Sequence, residues 1–177
     1  MLQLREGTTP VDAPQGVELA ALVARIGRAK SAQAPAPEVS AEGPVSVRGH
    51  EDRLERVIGH LVQNAQDATP PTGRVWIKLT RDGRQATVEV GDTGHGMTPE
   101  FVRDRLFKPF QTTKQAGMGI GAYESMQYVR ELGGRMSVDS APGAGTRVTL
   151  RLPLFDGGAM DNHAAGEPSP QTAKVRQ

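Results

Sequence analysis

Apolar residues recur every three or four positions in two stretches of the chain, residues 17–30 and 51–69. This spacing predicts two helices, each with one buried face. On the second helix, His60, Asn64 and Asp67 fall in one narrow polar stripe beside the apolar face, at about 100° per residue. A polar stripe that borders a buried face is a place where a ligand pocket can lie.

Alternation of apolar and polar residues predicts strands further along the chain. Residues 75–79 and 86–90 alternate in this way and are expected to form a hairpin that turns at an Asp-Gly pair. Residues 135–140 and 147–152 predict a second hairpin, which turns through the sequence APGAG. Both hairpins are antiparallel by construction, so the sheet is expected to be mostly antiparallel.

Turn-forming residues divide the remaining elements. The segment 31–44 is rich in Pro, Ala and Ser and predicts an extended connector before a short strand at 45–48. Thr98-Pro99 supplies an N-cap and a first helical residue for a short helix through position 105. A helix at about 120–132 ends at a Gly-Gly pair. This order predicts an α/β two-layer sandwich: a mixed, mostly antiparallel sheet with helices on one face.

The two ends of the chain lack apolar periodicity. Residues 1–16 are expected to be a flexible lead-in or the remnant of a linker, and residues 155–177 a disordered tail. The folded domain is expected to cover residues 17–154.

Composition excludes several classes of function. The chain has 21 basic and 20 acidic residues, and aromatic residues make up 4%, so a nucleic-acid-binding surface is not expected. Cysteine is absent, which excludes disulfides and cysteine–metal sites and fits a reducing compartment. The longest apolar stretch, residues 17–26, is short and carries charges, so no membrane contact is expected. These features predict a cytoplasmic segment, either free or part of a membrane-tethered protein.

Two glycine clusters flank a Phe-rich connector between residues 91 and 121. The first, GDTGHGM, follows a strand that ends near Asp92, and the second, GMGIG, opens a helix. Without side chains, backbone N–H groups can approach a phosphate closely, so the pair of clusters predicts a nucleotide pocket. The glycines expected to take part are Gly94, Gly96, Gly117, Gly119 and Gly121.

These motifs, together with Asn64 on the preceding helix, resemble the ATP-binding catalytic (HATPase) domain of sensor histidine kinases. That group is related to the ATP-binding part of DNA gyrase, the ninety-kilodalton heat-shock chaperone and MutL. The resemblance spans about residues 45–153 and implies the Bergerat-type ATP-binding fold. FKPFQTTK followed by GMGIGAYES is most similar to the exosortase-linked sensor kinases of the PEP-CTERM system.

At the adenine end, the resemblance implies that Asp92 accepts a hydrogen bond from the adenine amino group and that Thr146 helps to hold adenine and Asp92. Taken alone, Asp92 could equally be an ordinary turn residue. The candidate apolar walls, each of which could also be plain core, are Met97, Ile58, Val62 and Ile120.

At the phosphate end, the amide oxygen of Asn64 can join a Mg²⁺ shell completed by water and phosphate oxygens, the role of the matching Asn in the resembled family. Phe107 and Phe110 resemble the anchor of the lid that closes over ATP, although two Phe residues at this spacing are also typical of a core. Lys114 can approach the terminal phosphates as a mobile positive charge. It follows Thr112 and Thr113 in the same candidate lid.

Two positions depart from the family pattern. His60 stands where the gyrase-like branch has the glutamate that activates water, so its imidazole is a candidate base, a hydrogen-bond partner or inert. Asp67 stands where many relatives carry a basic residue near phosphate, which puts that contact in doubt.

A phosphoacceptor histidine on a dimerising helical hairpin is not recognisable in the chain. His50 stands at the start of the nucleotide-site helix, and no second hairpin helix is predicted before it. The predicted function is therefore the catalytic half of a two-component histidine kinase. It binds Mg²⁺–ATP and transfers the γ-phosphate to a histidine on a separate dimerisation domain, from which it passes to a response regulator. The alternatives are an ATP- or ADP-sensing scaffold without phosphotransfer, and an ATPase of the gyrase or chaperone type.

Overall fold

The computed structural model describes residues 13–106 and 119–155. In these ranges a π-helical segment, Val102–Leu106, follows the single helical turn Pro99–Phe101. The elements, in chain order, are β1 (Gln15–Glu18), α1 (Leu19–Lys30), β2 (Glu38–Ala41), β3 (Ser46–Gly49), α2 (Glu51–Asp67), β4 (Val75–Asp82), β5 (Gln85–Asp92), α3 (Pro99–Phe101), α4 (Gly119–Glu131), β6 (Arg135–Ser140) and β7 (Thr146–Pro153).

The main sheet has five strands in the order β2-β4-β5-β7-β6. The β2–β4 pair is parallel and the other pairs are antiparallel. Strands β1 and β3 form a separate two-stranded antiparallel sheet. The expected α/β fold with a mixed, mostly antiparallel sheet is confirmed.

The helices cover one face of this sheet because its strands alternate. On β4, Val75, Ile77 and Leu79 are fully buried, whereas Trp76 lies on the opposite face and is only partly buried. The α2 residues that pack in the same core are Leu54, Val57, Ile58, Leu61 and Val62. Each such side chain contributes about 1.5–3 kcal/mol when it leaves water completely. This core fixes the position of α2 over the centre of the sheet.

Most of the predicted elements occur where the sequence indicated them. The first hairpin turns at Asp82-Gly83, where Gly83 has a φ of 62°. The Thr98 hydroxyl caps α3 by accepting the N–H of Phe101 at 3.1 Å. The last helix ends at Glu131, one residue before the predicted end.

Two predictions near the start of the chain were wrong. Residues 15–18 form β1, although the sequence assigned residue 17 to a helix and residues before it to a lead-in. The helix begins at Leu19 because the Glu18 carboxylate accepts the N–H groups of Ala20 and Ala21. The segment 31–44 was predicted to be a connector, but it contains β2.

Strand β2 carries no periodic signal because all four of its residues are exposed at the edge of the sheet. It is held by parallel pairing with β4, a contact between distant segments. The tail predicted for residues 155–177 lies outside the described residues, apart from Phe155. In the part of the chain that the structure describes, no helix combines the length and the apolar character needed to cross a bilayer.

Candidate nucleotide-binding site

A cavity lies between the C-terminal half of α2, the loop after β5 and the start of β7. The empty space between these elements, counted out into the open solvent, is about 410 Å³. Asn64 and Asp92, which are 28 positions apart in the sequence, both line it. The complete lining is Leu61, Asn64, Ala65, Ala68, Val90, Asp92, His95, Gly96, Met97, Thr146 and Val148.

The walls of the cavity are mostly apolar. Leu61 and Ala65 contribute from the helix side, and Val90 and Val148 from the sheet side, with Met97 in the loop. An apolar space between a helix and a sheet suits a ring system. By contrast, the other candidate wall residues on α2, Ile58 and Val62, are fully buried in the core and do not line the cavity.

Asp92 supplies a carboxylate at the buried end of the cavity. The residue is only 6% exposed, and burial raises the pKa of its carboxyl above the ordinary value. Hydrogen bonds from the backbone N–H groups of Gly94 and Thr146 act in the opposite direction on the same pKa. The Gly94 N–H lies 2.8 Å from the Asp92 carboxylate. A carboxylate held in this way can accept a hydrogen bond from an amino group of a ligand.

The first glycine cluster serves close packing of the backbone. A Cβ on Gly96, which has a φ of 74°, would overlap the backbone carbonyl of Ala141. A Cβ on Gly94 would overlap the carbonyl of Ala68, at the end of α2. The Gly94 N–H is donated to Asp92, so this glycine supports the carboxylate and does not offer its N–H to a phosphate as the sequence had suggested.

Thr146 lines the cavity directly across the β5–β7 ladder from Asp92. Its hydroxyl lies 2.8 Å from the Ser140 hydroxyl, which also accepts the N–H of Met97 at 2.8 Å. Sequence reasoning missed Ser140. The available signal was its position opposite Thr146 in the last hairpin.

Thr69 is a second buried polar residue that sequence reasoning missed. It is 6% exposed, and its hydroxyl donates to the carbonyl of Ala65 at 2.7 Å. The same hydroxyl also lies beside the Asp92 carboxyl, and it lowers the pKa of that carboxyl when its one hydrogen turns to Asp92 instead of Ala65. Thr69 therefore connects the end of α2 to the carboxylate.

Asn64 presents an amide with unused hydrogen-bonding capacity. Its Nδ2 atom is buried, and no hydrogen-bond partner for it exists among the described residues. A buried polar atom without a partner is costly and is usually satisfied by water or a ligand. Rotation of the amide exchanges its oxygen and nitrogen, so Asn64 fits either a ligand acceptor or the shell of a cation.

The polar stripe predicted on α2 does not converge on one site. His60 lies in a separate groove between α2 and α4, together with Arg53 and Tyr123. Asp67 is exposed and accepts hydrogen bonds from the side-chain amide of Gln63 at 3.0 Å and from that of Gln33 at 3.3 Å. Only Asn64 of the three reaches the cavity, because each of the others turns toward a different neighbouring element.

Several candidate residues lie outside the described ranges, namely Phe107, Phe110, Thr112, Thr113, Lys114 and Gly117. Gly119 and Gly121 lie in the first turn of α4, and Ile120 lies between them. Among the described residues, no group of three or more His, Asp and Glu side chains could hold a metal ion.

Residues 49–156 match the family described as "Histidine kinase-, DNA gyrase B-, and HSP90-like ATPase". The chain belongs to this family. Among its relatives, the chain is similar to sporulation kinase D of Bacillus subtilis, with 32% identity over 113 residues, which are 64% of this chain and 22% of that protein. It is also similar to the sensor protein DivL of Caulobacter vibrioides, with 36% identity over 107 residues, 60% of this chain and 14% of that protein.

Among solved structures of this ATPase family, the fold matches that of the mycobacterial sensor histidine kinase MprB. The TM-score is 0.66 at 27% identity, and the match covers 80% of this chain and 97% of that chain. The chain therefore has the fold of a histidine kinase catalytic domain, and membership of the ATPase family implies that its nucleotide is ATP. It spans less than a quarter of the two curated relatives named above.

Proposed function

We propose that this chain is the catalytic domain of a sensor histidine kinase, which binds Mg²⁺–ATP and transfers the γ-phosphate to a histidine on a separate dimerisation domain. The observation that supports this function best is that Asn64 and Asp92 line one cavity. Asn64 offers an amide nitrogen that has no partner among the described residues, and Asp92 offers a buried carboxylate. Similarity to sporulation kinase D and to the sensor histidine kinase MprB points to the same class of enzyme.

In this proposal adenine occupies the apolar part of the cavity. Asp92 accepts a hydrogen bond from the adenine amino group, and Thr146 completes the polar end. Leu61 and Val148 contact the two sides of the ring, and Met97 covers it from the loop. Guanine would present a carbonyl to the Asp92 carboxylate, so the site favours adenine.

The triphosphate then extends past Asn64. The amide oxygen of Asn64 is a suitable ligand for Mg²⁺. This ion usually keeps several waters and binds through few protein groups together with substrate phosphates. When bound, Mg²⁺ neutralises phosphate charge during transfer. Asn64 holds and orients it, and the chain needs no nucleophile of its own.

The remaining roles rest on the sequence pattern. We propose that Phe107 and Phe110 anchor a lid and that Thr112, Thr113 and Lys114 approach the phosphates. The backbone N–H groups of Gly117, Gly119 and Gly121 are further phosphate contacts, with Ile120 beside the ring. His60 lies in the α2–α4 groove, outside the cavity, and has no part in water activation in this proposal.

The partners follow from the proposed reaction. They are the dimerisation domain that carries the acceptor histidine, and the response regulator that receives the phosphate from it. We propose a cytoplasmic location, where ATP is available, and an origin among the exosortase-linked PEP-CTERM sensor kinases, which the sequence FKPFQTTK…GMGIGAYES resembles most.

Incubation of the domain with radiolabelled ATP, Mg²⁺ and the acceptor hairpin of the intact kinase tests the proposed transfer. Label should appear on the hairpin, and substitution of its histidine should abolish the label. Measured ATP binding without transfer to the hairpin would instead identify an ATP-sensing module. Steady ATP turnover by the isolated domain would identify an ATPase of the gyrase or chaperone type.

A further inference from the structure

Ser140 lies at the end of β6, behind the cavity and directly opposite Thr146 in the β6–β7 ladder. Its hydroxyl oxygen has three polar neighbours. The backbone N–H of Met97 and the hydroxyl of Thr146 both lie at 2.8 Å, and the backbone carbonyl of Gly145 lies at 3.1 Å. Ser140 thus connects two residues that line the cavity without lining it itself.

The identity of these neighbours favours one arrangement of the two hydroxyl hydrogens. A hydroxyl has one hydrogen to donate and two lone pairs to accept. The Met97 N–H can only donate to Ser140, and the Gly145 carbonyl can only accept from it. If Ser140 donates to Gly145, the Thr146 hydroxyl must donate to Ser140, and all three contacts are satisfied. The reverse orientation would leave the Gly145 carbonyl with only the 3.5 Å hydrogen bond from Ala141.

We propose that Ser140 is a positioning residue that turns the Thr146 hydroxyl hydrogen away from the ligand, so that Thr146 faces the cavity as a hydrogen-bond acceptor. This inference rests on the proposed binding of an adenine nucleotide. Thr146 and Asp92 are directly paired across β5 and β7, and both line the cavity. An ionised carboxylate can only accept, so two acceptors lie side by side.

Two adjacent acceptors select the group at the six position of a purine. An amino group has two N–H donors to satisfy them, whereas a carbonyl oxygen is repelled by both. A Thr146 hydroxyl that could rotate freely would donate to a carbonyl and weaken this selection. Ser140 therefore contributes to the choice between amino- and oxo-purine nucleotides without touching the nucleotide.

The test is the ratio of dissociation constants for inosine triphosphate and ATP, measured by calorimetry with Mg²⁺. Inosine triphosphate differs from ATP by a carbonyl in place of the amino group and by a hydrogen on N1, so the ratio is compared between variants and not read as an absolute selectivity. Ser140→Ala should lower the ratio about tenfold, the effect of about one hydrogen bond. It should weaken ATP binding and strengthen inosine triphosphate binding. Thr146→Val should lower the ratio by weakening ATP binding alone, and Ser140→Thr, which keeps the hydroxyl, should restore the wild-type ratio.

A purely structural role for Ser140 predicts something different. Ser140→Ala would then weaken both triphosphates equally, and this unchanged ratio would overturn the inference. The double variant Thr146→Val/Ser140→Ala should have the same ratio as Thr146→Val alone, because Ser140 acts through the Thr146 hydroxyl. A ratio that falls further in the double variant would also overturn the inference. If Ser140→Ala fails to fold, an unchanged ratio in Thr146→Val decides against the inference. A wild-type domain that binds neither triphosphate would refute the proposed function itself.

Discussion

In the proposed function, Asp92 serves nucleotide binding at a cost to stability. Its carboxylate is almost fully buried and is held by backbone N–H groups, yet burial raises its pKa. Its position at the end of an alternating strand, just before Gly94 and Gly96, was readable from the sequence. Its contact with Thr69 was not readable, because Thr69 comes from a distant segment and carries no local pattern.

The raised pKa of Asp92 predicts the sign of a pH effect. The folded state binds the proton more tightly than the unfolded state, whose value is about 4. Asp92 therefore stabilises the ligand-free domain relative to Asp92→Asn at low pH and loses this contribution as the pH rises through the folded pKa. The melting temperature of Asp92→Asn relative to wild type should be higher at pH 7 than at pH 4.

Thermal melts of the ligand-free domain, with exposed Asp67→Asn as the control, measure this difference. A gap between Asp92→Asn and wild type that stays constant from pH 4 to pH 7 would contradict the assigned burial of the carboxylate. Asp92→Asn should also bind ATP more weakly at pH 7, because the acceptor for the adenine amino group is changed.

At the scale of elements, alternation and helical spacing predicted the two hairpins and α2 because each has one buried face. Strand β2 escaped this reasoning because its four residues are all exposed and only its pairing with β4 defines it. The glycines of the loop after β5 marked it in the sequence as a phosphate-binding loop, but these glycines have a different physical role in the structure. The structure shows that Gly94 and Gly96 allow close backbone packing.

Gly96→Ala tests this packing role. The substitution places a Cβ against the Ala141 carbonyl at a positive φ, so the loop must move away from the last hairpin. Gly83→Ala is the matched control, because Gly83 also has a positive φ but has open space around it. The control should cost about 1–2 kcal/mol. Gly96→Ala should cost about a further 1–3 kcal/mol in urea unfolding and weaken ATP binding. Equal effects in both variants would contradict the role.

Gln66 attaches the segment before β2 to α2. The residue is 2% exposed, and its Nε2 lies within 3.1 Å of three backbone carbonyls, those of Lys30, Gln33 and Pro35. Gln66→Ala removes this donor from all three carbonyls, of which, among the described residues, only that of Lys30 also accepts a backbone N–H, from Gln33, and it should cost about 1–3 kcal/mol.

Amide hydrogen exchange in β2 should also accelerate in Gln66→Ala, because the strand loses the anchor of its preceding segment. Gln63→Ala removes a neighbouring amide that is not fully buried and serves as the control. Exchange in β2 that is no faster in Gln66→Ala than in Gln63→Ala would show that pairing with β4 alone holds the strand.

At the scale of the whole molecule, the site forms because three distant segments meet. Asn64 comes from α2, Asp92 from the end of β5 and Thr146 from the start of β7. The sequence predicted each hairpin but not the order of strands, since the pairing of β5 with β7 joins the two hairpins through long-range contacts. The family resemblance supplied this arrangement, and the structure and the relatives agree with it.

The most direct test of the account is calorimetric titration of the domain with Mg²⁺–ATP. The wild type should bind one nucleotide. Asn64→Ala and Asp92→Ala should each weaken binding at least about tenfold, the effect of about one hydrogen bond. Gln63→Ala and Asp67→Asn, which alter neighbouring residues outside the cavity, should bind as the wild type does. Wild-type affinity in a variant that combines Asn64→Ala with Asp92→Ala would contradict the assignment of this cavity to ATP.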